Sequence, residues 1–365
     1  MSHYPSQAGP PARAMSTLRP VIVGYGHAGR DLHHRCLLDL AERGLAPAGE
    51  VLVVDPRPPR DLPPGTSWVQ TLDAAVAALP DPGDGVFHVT TPVGAHVPAV
   101  EALLAAGAKR IVLEKPVTRT SAQARQLAAG AATAGAWIIP VSVWPSSSIT
   151  RRVAELIASD RIGTPIGLNM AQNKPRFRRS AADTDSDCGH RTAFEVELPH
   201  QVLLALHLGG PAADIIDAAS WDMRLPDRSL PGMGGARVRL QHGGGFVSKL
   251  STDLTAPMSQ RRLTVTGTTG AIVADYPISG EDDFGQVWVS GDRERQVLVD
   301  GPLSRFLRQA YAHFAGEGPA PDCGLDSHIA AIELLERAAL QAGPTAEPAE
   351  DRTTAGPVKE EVLQC

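Results

Sequence analysis

Short, continuous apolar runs alternate with amphipathic stretches through the first 145 or so residues. Residues 21–23 predict a strand, followed by a glycine-rich turn and a helix over about 28–43. Further strands are predicted at 51–54, 85–90, 111–113 and 137–143, with helices at 72–79, 97–106 and 121–133 between them. The strand runs are apolar throughout rather than alternating, as strands buried on both faces require, and helices separate them. The pattern predicts βαβ units and a parallel, doubly wound sheet.

Beyond about residue 145 the period changes to two. Alternating runs at 166–172, 236–241, 245–254, 262–266, 271–275 and 286–290 predict strands with one covered face. Helices are predicted at 149–159, 199–208, 303–315 and 325–342, the second of them strongly apolar. This half predicts an α+β domain with an open, mainly antiparallel sheet. Residues 1–18 and 344–365 are polar, proline-rich and aperiodic, and are expected to be disordered.

Composition narrows the function classes. The 365 residues suit two domains, and 43% hydrophobic residues suffice for a sizeable core. A formal net charge of -6 argues against a nucleic-acid partner, which needs a concentrated basic face. The four cysteines form no C-x-x-C pair and no zinc-type cluster, so no metal is expected and a reducing compartment is. No run reaches the roughly 20 apolar residues of a membrane span. The expectation is a soluble, cytoplasmic protein that acts on a small molecule.

Gly24-Tyr25-Gly26-His27-Ala28-Gly29 fits G-x-G-x-x-G between the first strand and helix. Gly24 allows the turn, Gly26 lets a pyrophosphate approach the backbone, and Gly29 lets the helix pack on the strand. The helix N-terminus offers free N–H groups to the phosphates. Asp55 ends the second strand, where an acid holds the ribose hydroxyls of a dinucleotide. A carboxylate there repels a 2′-phosphate and favours NAD over NADP, although Arg57 lies two residues on. Gly24, Tyr25, Gly26, His27, Ala28 and Asp55 are therefore candidate cofactor contacts. Ligands of such sheets bind at the strands' carboxyl ends, which adds Thr90, Thr91, Pro92, His96, Glu114 and Lys115. Lys115, beside the nicotinamide, can bond the substrate oxygen and relay its proton.

The runs GYGHAGR, VVD, TTPVGAH and EKP together resemble the Gfo/Idh/MocA oxidoreductases, and the resemblance extends over roughly residues 19–343. It implies a Rossmann domain over 19–146 and a substrate-binding and oligomerisation domain over 147–343. It implies hydride transfer between a nicotinamide, NAD or NADP, and a secondary alcohol or ketone of a sugar-like or cyclitol-like substrate. It also implies a catalytic role for Lys115, a cis Lys115–Pro116 bond, and a homodimer or homotetramer formed through the second domain's sheet.

The chain departs from the family in three places. The family has Asp-x-x-x-His entering a helix of the second domain. Here His200 aligns, but the position four before it is Val196, with Glu195 and Glu197 on either side. His200 is the candidate proton acceptor, and Glu197 a catalytic candidate, with Glu195 the alternative at the substrate. No Asn-Arg pair follows the fifth strand; Trp144 stands there, read as lining the pocket or as a domain-junction core residue. Residues 174–179 form a basic run with Asp183, Asp185 and Asp187 after it. Arg176 in that run is a candidate clamp for a phosphorylated or nucleotide-linked substrate. An imine reductase and a dinucleotide-sensing regulator are the competing readings.

Overall fold

The computed structural model describes residues 10–47, 49–184, 191–279 and 282–343. The first domain begins with β1 (Arg19–Val23), whose last four residues are buried. A π-helical segment, Ala28–His34, then runs into α1 (Arg35–Glu42). The sequence predicts one uniform helix there. The wider winding accompanies two consecutive histidines, His33 and His34, that both turn into the core. There follow β2 (Val51–Val54), β3 (Thr66–Val69), α2 (Leu72–Ala77), β4 (Gly85–Val89), α3 (His96–Ala105), β5 (Arg110–Leu113), α4 (Ser121–Ala134) and β6 (Trp137–Pro140).

The helix ends follow from their capping residues. The side chains of Thr71 and Thr120 accept from the amides of Ala74 and Gln123, and Gly135 closes α4 in the left-handed region at φ 57°. The six strands are all parallel, in the order β3-β2-β1-β4-β5-β6. The order reverses between β1 and β4, and that reversal opens a crevice at the carboxyl ends. The sequence pattern does not show β3, because this short edge strand is only half-buried and carries little apolar signal.

The second domain runs α5 (Ser148–Ala158), β7 (Pro165–Asn173), α6 (Phe177–Thr184), α7 (Ala193–Val196), α8 (Leu198–Gly209), β8 (Ala213–Arg224), β9 (Ser229–His242), β10 (Val247–Asp253), β11 (Gln260–Gly267), β12 (Ala271–Asp275), β13 (Phe284–Val289) and β14 (Gln296–Val299). Its eight strands lie in the order β14-β13-β12-β11-β7-β10-β9-β8, antiparallel except for the β7–β10 pair. The sheet is therefore mixed and mainly antiparallel, and α8 lies buried against it from Val202 to Leu206. The sequence pattern does not show β8, the first half of β9, or β14. The two edge strands alternate weakly and stay largely half-buried or exposed.

α9 (Pro302–Phe314) and α10 (Leu325–Ala342) close the chain. The α9 stripe of Phe306, Leu307, Ala310, Tyr311 and Phe314 shares one core with Ile22, Val53 and Val86 of the first domain. Burying each large side chain of that stripe is worth about 1.5–3 kcal/mol. The helix thus packs on the Rossmann sheet, although in sequence it follows the second.

The N-terminal expectation needs correction from residue 10 onward. Arg13 pairs with Asp81 and Asp84, each at 3.0 Å, and Leu18 is fully buried. The buried guanidinium of Arg110 donates to the carbonyls of Pro11, at 2.5 Å, and Gly83. A buried cation needs such acceptors, and the strap supplies one. Residues 1–9 and 344–365, expected to be disordered, lie outside the described residues, as do Asp185 and Asp187.

Candidate active site

The three glycines of the first turn divide the work. Gly24 has φ +92°, and a Cβ on it would sit 2.9 Å from the Thr91 amide nitrogen. A Cβ on Gly29 would lie 2.1 Å from the Gly24 carbonyl oxygen, so nothing larger lets the helix approach β1. A Cβ on Gly26 would meet no atom within 4 Å. Gly26 is thus not needed by the fold; its bareness leaves room for a phosphate at the helix start. His27, at the same rim, bonds Asp31 at 2.9 Å, and Ala28 opens the helix. Gly26→Ala is expected to leave the melting temperature unchanged and to weaken dinucleotide binding roughly tenfold. Gly29→Ala is expected to destabilise the fold by about 1–3 kcal/mol or more. Thermal unfolding and a binding titration on both variants check the contrast.

Asp55 follows β2 and is tied in place. Its Oδ2 accepts from the Tyr25 amide at 2.9 Å and its Oδ1 from the Arg57 amide at 3.0 Å. A cleft of about 690 Å³ opens here, lined by Tyr25, Asp55 and Asp61 together with Arg30, Arg57 and Arg60.

At the ends of β4 and β5, Thr90 staples the turn by donating to the Gly24 carbonyl at 2.6 Å. Thr91 and Pro92 line a second cleft of about 370 Å³ between the domains. His96 does not face that cleft. It is buried, with ring nitrogens 2.8 Å from the Thr91 carbonyl and 3.1 Å from that of Val117, and it ties two loops together. Glu114 also turns inward, its Oε2 accepting from the Lys115 amide at 2.9 Å. Burial pushes its carboxyl up, but the His33 hydrogen bond and the nearby charges outweigh this and hold it low. Lys115 is exposed on the cleft, and Lys115–Pro116 is cis.

The opposite wall comes from α7, α8 and α10. His200, in the first turn of α8, lines the cleft and stacks on Trp144 at 5.8 Å and 15°. Trp144 stacks in turn on Tyr276 at 4.9 Å. Of the two readings of Trp144, the core one fits: it is 9% exposed and backs the His200 ring instead of lining the cleft. Desolvation, followed by the charges of Lys115, Arg261, Lys174 and His328, holds His200 well below its ordinary pKa. At neutral pH the ring is uncharged and able to accept a proton.

Glu195 and Glu197 separate. Glu195 is exposed on the cleft and accepts from the Arg191 amide at 3.0 Å. Glu197 is buried, and its carboxylate is held by Gln172 and Lys174. Burial, together with Arg176 and Arg261, lowers Lys174 to about 7. Arg176 does not line the cleft; it is buried and reaches Ser180 at 3.3 Å. The sequence reading missed His328 on α10, which lines the cleft and lies 2.8 Å from the Ser142 hydroxyl. It also missed Arg261 and Gln172, brought in from neighbouring strands by the β7–β11 register. No local motif marks any of the three. Leu203, Ala331, Ile332 and Leu335 give the cleft an apolar wall.

Residues 18–141 match the oxidoreductase family with an NAD-binding Rossmann fold, Gfo/Idh/MocA. No curated protein matches the chain. Among solved structures, KijD10, a 3-ketoreductase from Actinomadura kijaniata in complex with NADP and TDP-benzene, superposes with a TM-score of 0.71 at 18% identity. That match covers 89% of this chain and 97% of the other. The yvaA protein of Bacillus subtilis superposes with a TM-score of 0.72 at 18% identity, covering 90% and 97%. The shared fold spans both domains. Residues 18–141 thus carry the NAD-binding Rossmann fold of an oxidoreductase family. Among the described residues no helix is long and apolar enough to cross a membrane, and no cluster of three metal-ligating side chains occurs.

Proposed function

We propose that the whole chain is a Gfo/Idh/MocA-type oxidoreductase that moves hydride between a nicotinamide and the carbinol or carbonyl carbon of a sugar-like or cyclitol-like substrate. The observation that carries the reading is the pairing of Lys115 and an uncharged His200 on opposite walls of one cleft. A dinucleotide suits the residues present: Gly26 leaves space at the helix start, and Asp55 stands at the end of β2. When bound, the nicotinamide supplies or takes the hydride.

The chain's own groups do the rest. The backbone around Gly26 binds phosphate, and Asp55 holds ribose hydroxyls. The Lys115 ammonium donates to the substrate oxygen and stabilises charge there. His200 takes the hydroxyl proton in oxidation and returns it in reduction, while Trp144 fixes its ring plane. Glu195 hydrogen-bonds substrate hydroxyls at the cleft rim. Asp55 favours NAD, and the guanidiniums of Arg57 and Arg60 beside it admit NADP.

KijD10's 3-ketoreductase activity and its complex with TDP-benzene support including nucleotide-linked sugars among the candidates. A homodimer or homotetramer formed through the eight-stranded sheet completes the proposal. The test is absorbance of reduced nicotinamide with NAD and with NADP against cyclitols, free sugars, sugar phosphates and nucleotide sugars. Turnover on at least one class is expected. Silence on all of them, with dinucleotide binding intact, would favour a sensor.

A further inference from the structure

Behind Lys115 lies a chain of buried polar groups that the proposed reaction leaves unused. Glu114 Oε1 lies 3.0 Å from His33 Nε2. His33 Nδ1 lies 2.8 Å from His88 Nδ1, and His88 Nε2 lies 2.9 Å from the Tyr311 hydroxyl. These groups come from the end of β5, the π-helical segment, β4 and α9. His33, His88 and Tyr311 are 0% exposed, and Glu114 is 7% exposed.

Counting protons leaves one arrangement that satisfies every group with both rings neutral. Among the described residues Tyr311 has no second polar partner, so its O–H donates to His88 Nε2. His88 then carries its proton on Nδ1 and donates to His33 Nδ1. His33 in turn carries its proton on Nε2 and donates to Glu114. All the donors point toward the carboxylate. If Tyr311 accepted instead, its own proton would be stranded in an apolar core. His33 would then have to carry two protons, or Glu114 one.

We infer that Tyr311, His88 and His33 are positioning residues that orient the Glu114 carboxylate, which holds the Lys115 backbone and so aims its ammonium into the cleft. The link from Glu114 to Lys115 is the 2.9 Å hydrogen bond from the Lys115 amide. The inference rests on the reading of Lys115 as the site's catalytic lysine. It gives α9 a part in the chemistry: the docking of that helix on the first domain and the geometry of the lysine are one linked structure.

The test is nuclear magnetic resonance on protein labelled with ¹⁵N in histidine and lysine, as wild type and as Tyr311→Phe. The variant keeps the ring that packs against Phe314 and removes only the O–H. At neutral pH the wild type is expected to show His88 protonated on Nδ1 and His33 on Nε2. Tyr311→Phe removes the donor to His88 Nε2 and is expected to shift the resonance of that ring nitrogen and to move the Lys115 amide resonance. A wild-type His88 protonated on Nε2, or a Lys115 amide unmoved in the variant, overturns the inference. The wild-type arm needs no variant to fold, and neither arm needs turnover, so failure to find a substrate leaves this test standing. Where turnover is measured, Tyr311→Phe is expected to lower kcat on the order of 10-fold with the dinucleotide KM unchanged. A loss confined to KM also overturns it.

Discussion

Lys115→Met is expected to lower turnover by roughly 100- to 10,000-fold while changing dinucleotide affinity by less than about twofold. Methionine keeps an unbranched apolar stem and removes only the ammonium. Lys115 stands exposed on the cleft, and its backbone is held by Glu114, so the loop survives the substitution. The lost interaction is one that strengthens as charge develops on the substrate oxygen, so the effect falls on kcat. Steady-state kinetics and a fluorescence titration of dinucleotide check both halves. An equal loss of binding and turnover would place Lys115 at the cofactor instead of the reacting oxygen.

His200→Asn is expected to cost about 100- to 10,000-fold as well, and the wild-type pH profile carries its sign. Burial and the cations around it depress the His200 pKa well below 6.5, so the neutral ring persists through pH 6.5 and disappears only further down. Alcohol oxidation needs the neutral form and should stay level as the pH falls through that value, declining at lower pH. Ketone reduction needs the protonated form and should rise as the pH falls. The asparagine variant should lose both trends. An oxidation limb centred at or above 6.5 would assign the proton to another group.

What the sequence makes legible is what local rules encode. The β1 turn, the acid after β2 and the E-K-P run after β5 all sit at the carboxyl ends of strands in one parallel sheet, and each carries its own signal in composition and spacing. Gly24 is required by its own positive φ and Gly29 by the Gly24 carbonyl five residues before it, and the motif shows both directly. The second half of the site is different. Trp144 backs His200 only because α8 folds over the domain junction, and no spacing announces that. Glu197 reads as a substrate group by its place in the chain. It is instead held by Gln172 and Lys174, because β7 passes beneath α8. His96 and Arg176, polar residues in promising loops, spend their hydrogen bonds on the scaffold. The strap over residues 10–18 looks aperiodic because its order comes from Arg110 and two aspartates far along the chain.

The central claim is that hydride passes between nicotinamide and a substrate carbon beside Lys115 and His200. The most direct test is a single turnover with reduced cofactor carrying deuterium at the transferable C4 position, using a ketone that turns over. Deuterium is expected on the former carbonyl carbon and a solvent-derived hydrogen on its oxygen, with no transfer over the same time in Lys115→Met. Deuterium retained in the cofactor, or transferred equally by the variant, would contradict it.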